Sequence, residues 1–285
     1  MTDILIIGAG PAGISAALYA ARANKTVEVL CHGDAEVEKA VKIDNYYGFP
    51  GGITGTELYR NGIAQAKALG VTVTEAEALG AEISMDMTYL VKASDGVHEA
   101  RSLIIASGSK KLRPNVKGVD TYEGKGISYC AVCDGFFYRK KRVAVVGNGP
   151  YAVSEAGVLR DIADSVTILT NGQPAPETDL PTDTRKIAAF TGELKANAVV
   201  FDDGDECAVD GIFIALGEAG GADFAKKLGA VIDGDKLVVD ENMATNLPGL
   251  FACGNVTGGL LQVCKAVHEG AVAGLAAVKY VKSLG

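Results

Sequence analysis

The 285-residue chain has no tryptophan, only 8 prolines and 3 histidines, and its 27 lysines and arginines are outnumbered by 35 acidic residues. Each shortage excludes something. A formal net charge of -8 leaves no cationic excess of the kind phosphate backbones require, so a general nucleic-acid binder is excluded. No apolar run reaches the ~20 residues of a membrane-spanning helix, so no membrane partner is expected. Met1 runs into the apolar stretch Ile4 to Ile7 without a basic leader or cleavage site, which points to the cytoplasm. Few prolines beside 48% hydrophobic residues and 36 glycines describe a globular α/β protein rich in tight turns. His32, His98 and His268 stand singly and Cys-x-x-Cys occurs once, so the ligand set of a structural zinc site is missing. The six cysteines form no disulfide framework. Cys31, Cys207, Cys253 and Cys264 are isolated and are expected to be buried small hydrophobes, which leaves Cys130 and Cys133.

What is present is a repeated pattern. Ile4-Leu5-Ile6-Ile7 followed by Gly8-Ala9-Gly10-Pro11-Ala12-Gly13 reads as a buried parallel strand, a glycine turn and a helix from Ile14 to about Ala23. The pattern returns at Val143-Ala144-Val145-Val146, with Gly147-Asn148-Gly149-Pro150 and a helix through Leu159. A third segment, Lys236 to Asp240 and then Ala244 to Asn255, reads as strand, turn, strand and glycine loop, followed by a helix from about Val263 to Val278. The length allows two cores. We therefore expect an α/β protein with two nucleotide-binding, Rossmann-like domains, the second inserted into the first. Residues 1–111 with 217–285 would form one domain and 112–216 the other, with crossings at Ile104 to Gly108 and Ile214 to Gly217.

Gly8-x-Gly10-x-x-Gly13 sits between strand and helix, as dinucleotide binding requires. Gly8 permits the tight turn, Gly10 lets backbone approach a pyrophosphate, and Gly13 allows close helix packing. A purely structural glycine turn is the competing reading, and Asp34 is a candidate for the ribose-binding acid. Cys130-Ala131-Val132-Cys133 can close a small reversible disulfide. Asp134, next in sequence, suits a proton donor and acceptor for thiol chemistry and equally a turn cap.

Ser128-Tyr129-Cys130-Ala131-Val132-Cys133-Asp134-Gly135-Phe136-Phe137-Tyr138, with Val143 to Gly147 close behind, resembles the low-molecular-weight thioredoxin reductases. Asn45 to Pro50 and Gly52 to Gly55 match the family's flavin-side loop, and Pro248 to Asn255 its second FAD segment. The resemblance covers nearly the whole chain. It implies a homodimer with an FAD domain and a dithiol domain that rotate to show the cysteines alternately to flavin and to thioredoxin. It also implies that Cys133 faces the flavin, Cys130 attacks the partner disulfide and Asp134 handles the proton. FAD contacts would come from Gly8, Gly10, Pro11, Ala12 and Gly13, from Asn45, from Ala106, Ser107 and Gly108, and from Gly254, Asn255 and Gln262.

The departures lie in the inserted domain. The family binds NADPH there through a small-residue glycine turn and a cluster of arginines after the next strand. This chain has Tyr151 in the turn and Thr170-Asn171-Gly172-Gln173-Pro174 after Val166 to Leu169. That pattern resembles the ferredoxin-dependent flavin thioredoxin reductases, which keep the dithiol and lack the nucleotide site. A plant-type ferredoxin and a thioredoxin differ by ~130 mV, or ~6 kcal/mol downhill over two electrons. Asn255 and Leu261-Gln262 also depart from the family's aspartate and Arg-Gln. Arg139-Lys140-Lys141-Arg142 and Lys110-Lys111-Leu112-Arg113, with Lys117 and Lys125, suit either an acidic ferredoxin or a solvated linker. Two other functions fit the motifs: an NAD(P)H-dependent disulfide reductase with unfamiliar nucleotide contacts, and a flavin-binding redox switch without fast turnover.

Overall fold

The structure, a computed structural model, describes all residues except 109–112, 130, 218–220 and 235, and the side chains of 132, 133 and 221–223 are likewise outside the description. The chain divides into two compact units, Met1–Lys110 with Gly220–Gly285, and Lys111–Ala219. Both are α/β, and the second is inserted between the two parts of the first. Among the described residues no helix is long and apolar enough to cross a membrane.

The first unit opens with β1 (Thr2–Ile7), α1 (Pro11–Arg22), β2 (Val27–Cys31), α2 (Gly55–Ala68), β3 (Thr72–Glu75), β4 (Ala78–Ile83), β5 (Tyr89–Ala93) and β6 (Gly96–Ile105). Strands β3, β2, β1 and β6 run parallel, whereas β4, β5 and the first half of β6 form an antiparallel meander. Ile4, Ile6 and Ile104 are fully buried, as strands covered on both faces require. Helix α1 starts at Pro11, three residues earlier than expected at Ile14, because proline lacks only an amide that the first helical turn cannot pair.

The second unit follows with α3 (Val119–Tyr122), β7 (Ile127–Ser128), α4 (Ala131–Asp134), β8 (Arg142–Val146), α5 (Pro150–Arg160), β9 (Ser165–Leu169) and β10 (Thr182–Asp183), then β11 (Ile187–Thr191), β12 (Ala198–Phe201), β13 (Glu206–Ala208) and β14 (Gly211–Ile214). Five strands form a parallel sheet in the order β10-β9-β8-β14-β7, beside an antiparallel sheet of β11, β12 and β13.

The chain then returns to the first unit as α6 (Gly221–Lys227), β15 (Ile232–Asp233), β16 (Lys236–Leu237), β17 (Leu250–Ala252) and α7 (Val263–Ser283). Strand β17 pairs in parallel with the second half of β6, Leu250 opposite Leu103 and Ala252 opposite Ile105. The strand expected to reach Asp240 stops at Leu237, since Asp240 Oδ1 accepts from the amides of Asn242 and Ala244 and turns the chain. Helix α7 runs past Val278 to Ser283 because Val281 continues its buried stripe. It lies close on α1, and a Cβ on Gly270 would fall 2.1 Å from the carbonyl oxygen of Ala12.

Of the isolated cysteines Cys253 is buried and Cys31 and Cys207 are half-buried, but Cys264 is exposed, contrary to expectation. It lies on the first turn of α7, off the stripe of Ala266, Gly270 and Ala273.

His98 on β6 bonds Asp95 Oδ1 through Nε2 at 2.9 Å and Glu28 Oε1 through Nδ1 at 3.1 Å. Partial burial opposes the imidazolium, but the two carboxylates outweigh it and the pKa rises above 6.5. The folded chain thus holds the proton more tightly than the unfolded one. The resulting stability is complete below pH 6.5 and fades as pH climbs through the folded value. Tm should therefore fall by roughly 1 °C between pH 6 and pH 8, and His98→Gln should remove that slope. Thermal melts across that range check it, and an unchanged slope in the variant would show that His98 is not its source.

Candidate active site

In the first unit the glycine turn is a backbone cradle. Gly8 adopts φ +106°, and a Cβ on Gly13 would fall 1.8 Å from the Gly8 carbonyl oxygen, so turn and helix are in direct backbone contact. Gly10 differs: a Cβ there would meet nothing within 4 Å. No side chain caps α1, and Pro11 brings no amide, so the first amides of the helix, those of Ala12 and Gly13, belong to the turn that Gly10 leaves open.

The crossing after β6 lies against the turn, since a Cβ on Gly8 would fall 2.5 Å from the Ala106 carbonyl oxygen. The Ala106 amide donates to the Ile7 carbonyl at 2.8 Å. Ser107 Oγ is buried without a hydrogen-bond partner among the described residues, a polar atom that a polar ligand would satisfy. Gly108 follows it. Gly254, where a Cβ would fall 2.8 Å from that of Ala12, opens the short 3-10 turn Gly254–Thr257, which also holds half-buried Asn255. Asn45 Nδ2 donates to Gln262 Oε1 at 2.9 Å, so two of the expected contacts meet although 217 residues separate them. Asp34 is exposed on the segment after β2.

Lys265 and Glu269 were not foreseen. Glu269 Oε2 accepts from the Gly254 amide at 2.8 Å and from Thr257 Oγ1 at 3.0 Å. Lys265 Nζ donates to the carbonyl oxygens of Gly254 and Gly258 and pairs with Glu269 at 2.9 Å. The pair locks the glycine turn onto the start of α7. Its one sequence signal was the i, i+4 spacing of opposite charges. Burial first and the Glu269 carboxylate second push the Cys253 thiol far above its ordinary value, so it is inert.

In the second unit the dithiol segment follows β7. Cys130 lies outside the described residues. Cys133 is on α4, its side chain outside the description. Asp134 Oδ2 accepts from Ser128 Oγ at 2.6 Å, which fixes the carboxylate at the end of α4. Tyr138 packs edge-on against Phe213 with ring centroids 5.2 Å apart, and its pKa is raised by burial and by Asp134. Phe136 and Phe137 are both about two-thirds exposed, at 67% and 68%.

The second glycine turn shares two features with the first, since Gly149 also faces open space and α5 also begins at a proline. Its surroundings differ. Tyr151 is buried at 3% exposure and directed inward, its hydroxyl 3.4 Å from the Tyr129 carbonyl oxygen. After β9, the Gly172 amide donates to the Thr184 carbonyl, which brings Arg185 beside this loop. Arg185 pairs with Asp183 at 2.7 Å, Asp205 at 2.9 Å and Asp203 at 3.3 Å, and stacks on the Phe201 ring. Its hydrogen bonds hold the Asp183 carboxyl below the usual range.

The family model described as pyridine nucleotide-disulphide oxidoreductase matches residues 2–270. A thioredoxin reductase of Listeria monocytogenes is 33% identical over 99% of this chain and 94% of its own length. The crystal structure of an atypical thioredoxin reductase, TRi, from Desulfovibrio vulgaris Hildenborough is similar with a TM-score of 0.92, at 40% identity over 99% of both chains. A ferredoxin-flavin thioredoxin reductase from Clostridium acetobutylicum is similar with a TM-score of 0.71, at 30% identity over 99% of this chain and 98% of that one. With two glycine-turn units, a single Cys-x-x-Cys segment and these relatives, the chain belongs to the low-molecular-weight thioredoxin reductases, FAD flavoproteins that act on the disulfide of thioredoxin.

Proposed function

We propose that this thioredoxin reductase takes electrons from ferredoxin or a similar one-electron donor and passes them through FAD and the Cys130–Cys133 dithiol to thioredoxin. The observation that carries the donor is Arg185. The loop after β9 is where a nucleotide unit reads the ribose, and the arginine beside it is neutralised by three aspartates. Arg160 and Lys186 are likewise paired, with Asp179 and Asp202. A 2'-phosphate brought to this loop would meet carboxylates.

In the first unit, which we take as the FAD domain, the turn from Gly8 to Gly13 would hold the pyrophosphate through backbone. Ala106, Ser107 and Gly108, together with Gly254 and Asn255, would supply further contacts. Asn45 and Gln262, hydrogen-bonded to each other, would act together on the cofactor. FAD, when bound, supplies the conversion between one-electron and two-electron transfer. At the dithiol, the Cys130 thiolate attacks one sulfur of the thioredoxin disulfide and releases the other as a thiolate. Cys133 then resolves the mixed disulfide, so this chain's dithiol is oxidised as two electrons reach thioredoxin. Asp134, steadied by Ser128, moves the proton between thiol and solvent. The exposed Phe136 and Phe137 give thioredoxin an apolar landing beside the dithiol. The same reading takes the enzyme as a cytoplasmic homodimer.

Docking of an acidic ferredoxin falls to Arg139, Lys140 and Lys141, all exposed. Arg142 is paired with Asp210, Arg113 with Asp120 and Glu123, and residues 110–112 lie outside the described residues. The test is anaerobic reduction of the yellow protein followed at the flavin band, with reduced ferredoxin, NADPH and NADH side by side. We expect ferredoxin alone to bleach the flavin and thioredoxin thiols then to appear. Rapid bleaching by either nucleotide would overturn the donor assignment. Reversing charge at Lys140 and Lys141 should slow the ferredoxin reaction and weaken its salt dependence, and no change in either would remove them from the docking face.

A further inference from the structure

One helix grips the dithiol peptide on both sides of Cys130. Tyr151 and Glu155 lie one turn apart on α5, and both are buried, at 3% and 2% exposure. The Tyr151 hydroxyl reaches the Tyr129 carbonyl oxygen at 3.4 Å, and Glu155 Oε2 accepts from the Ala131 amide at 2.8 Å. The residues before and after the first cysteine thus answer to a single helical face.

We propose that α5 has exchanged one task for another: the helix that would face a nucleotide pyrophosphate here braces the dithiol, with Tyr151 and Glu155 as positioning residues that hold the peptide in the register at which the Cys130–Cys133 disulfide closes. This rests on the reading of that pair as the redox centre. A buried carboxylate is costly unless strongly hydrogen-bonded, and an apolar side chain would fill the same volume without that cost. The bond from the Ala131 amide is one of the interactions that offset this cost, and it ties the carboxylate to the dithiol peptide. The i, i+4 spacing makes the two grips one rigid unit. With the Ser128–Asp134 bond, hydrogen bonds hold Ser128, Tyr129, Ala131 and Asp134 around the first cysteine. Pinning reacting groups near each other raises their effective concentration, so a looser segment favours the open dithiol over the disulfide.

The holoprotein is equilibrated in glutathione buffers, and the fraction of Cys130–Cys133 disulfide is read by thiol alkylation and mass spectrometry. Glu155→Ala should shift the equilibrium about tenfold towards the dithiol, and Tyr151→Phe about threefold. Glu155→Gln, whose amide oxygen still accepts from Ala131, should stay within about threefold of the unsubstituted protein. A side chain that only supports the fold would lower Tm and leave this equilibrium alone. An unmoved equilibrium in Glu155→Ala, or a glutamine variant shifted as far as alanine, would overturn the brace. If Glu155→Ala does not fold, Tyr151→Phe decides: a shift supports the proposal and none defeats it. A holoprotein that forms no Cys130–Cys133 disulfide in any buffer would overturn the redox-pair reading as well, a result distinct from a disulfide whose equilibrium does not move.

Discussion

Serine at position 133 will leave a yellow protein that no longer reduces thioredoxin, with turnover down at least ~10³-fold. Disulfide exchange needs a sulfur that ionises near neutral pH and accepts a sulfur–sulfur bond, and a hydroxyl does neither. The proposed FAD cradle lies wholly in the first unit, whereas Cys133 is in the second, so flavin content should be unchanged. The measurement pairs the flavin-to-protein absorbance ratio with thioredoxin thiols released per minute. Turnover within tenfold of the unsubstituted enzyme would end the assignment of Cys133. Cys31→Ser is the control, since Cys31 is half-buried at the end of β2 with its thiol 3.6 Å from the Thr74 carbonyl oxygen. It should leave turnover intact.

The glycines of the first turn allow a sharper dissection. At Gly10 an added methyl meets nothing within 4 Å among the described residues beyond its chain neighbours, so Gly10→Ala should fold as well as the parent. The same methyl would stand between α1 and a pyrophosphate. Losing two amide-to-phosphate hydrogen bonds should weaken FAD binding about 10²-fold. At Gly13 the methyl falls 1.8 Å from the Gly8 carbonyl oxygen, so helix and turn must separate before any cofactor is considered. Gly13→Ala should therefore cost about 3 kcal/mol in the apoprotein and lower Tm by roughly 6–10 °C. Apoprotein melts and FAD titrations of both variants separate cofactor contact from packing. Tight FAD binding by Gly10→Ala would refute the pyrophosphate cradle.

Both nucleotide-type units were legible because strands buried on two faces write themselves as apolar runs, Ile4 to Ile7 and Val143 to Val146, each closed by glycines. The sheet of β11, β12 and β13 was harder to read, since β11 and β12 are only five and four residues long and β13 carries the exposed Glu206. Within the candidate site, the tight turn at Gly8 and the close helix packing at Gly13 could be read because backbone contact between turn and helix restricts the residue type. The bulk of Tyr151 was evident in the sequence, but not that it turns inward to Tyr129, nor that Glu155 reaches Ala131. Those contacts depend on where β7 ends relative to α5. Lys265 and Glu269 escaped for a similar reason, because their partner is a loop whose path follows from β17.

The place of β17 has a consequence for how the protein is made. Its site on β6, opposite Leu103 to Ile105, exists once the first 105 residues are in place, but its own residues begin at Leu250. At bacterial-like synthesis rates the ribosome needs about 7–30 s to cover the intervening stretch. During that interval the nascent chain presents one open edge of the second half of β6 and the bare alanine face of α1 that α7 later covers. A growing chain in that state is a natural client for chaperones that hold apolar surface, and the inserted unit is complete on the ribosome before the unit that surrounds it.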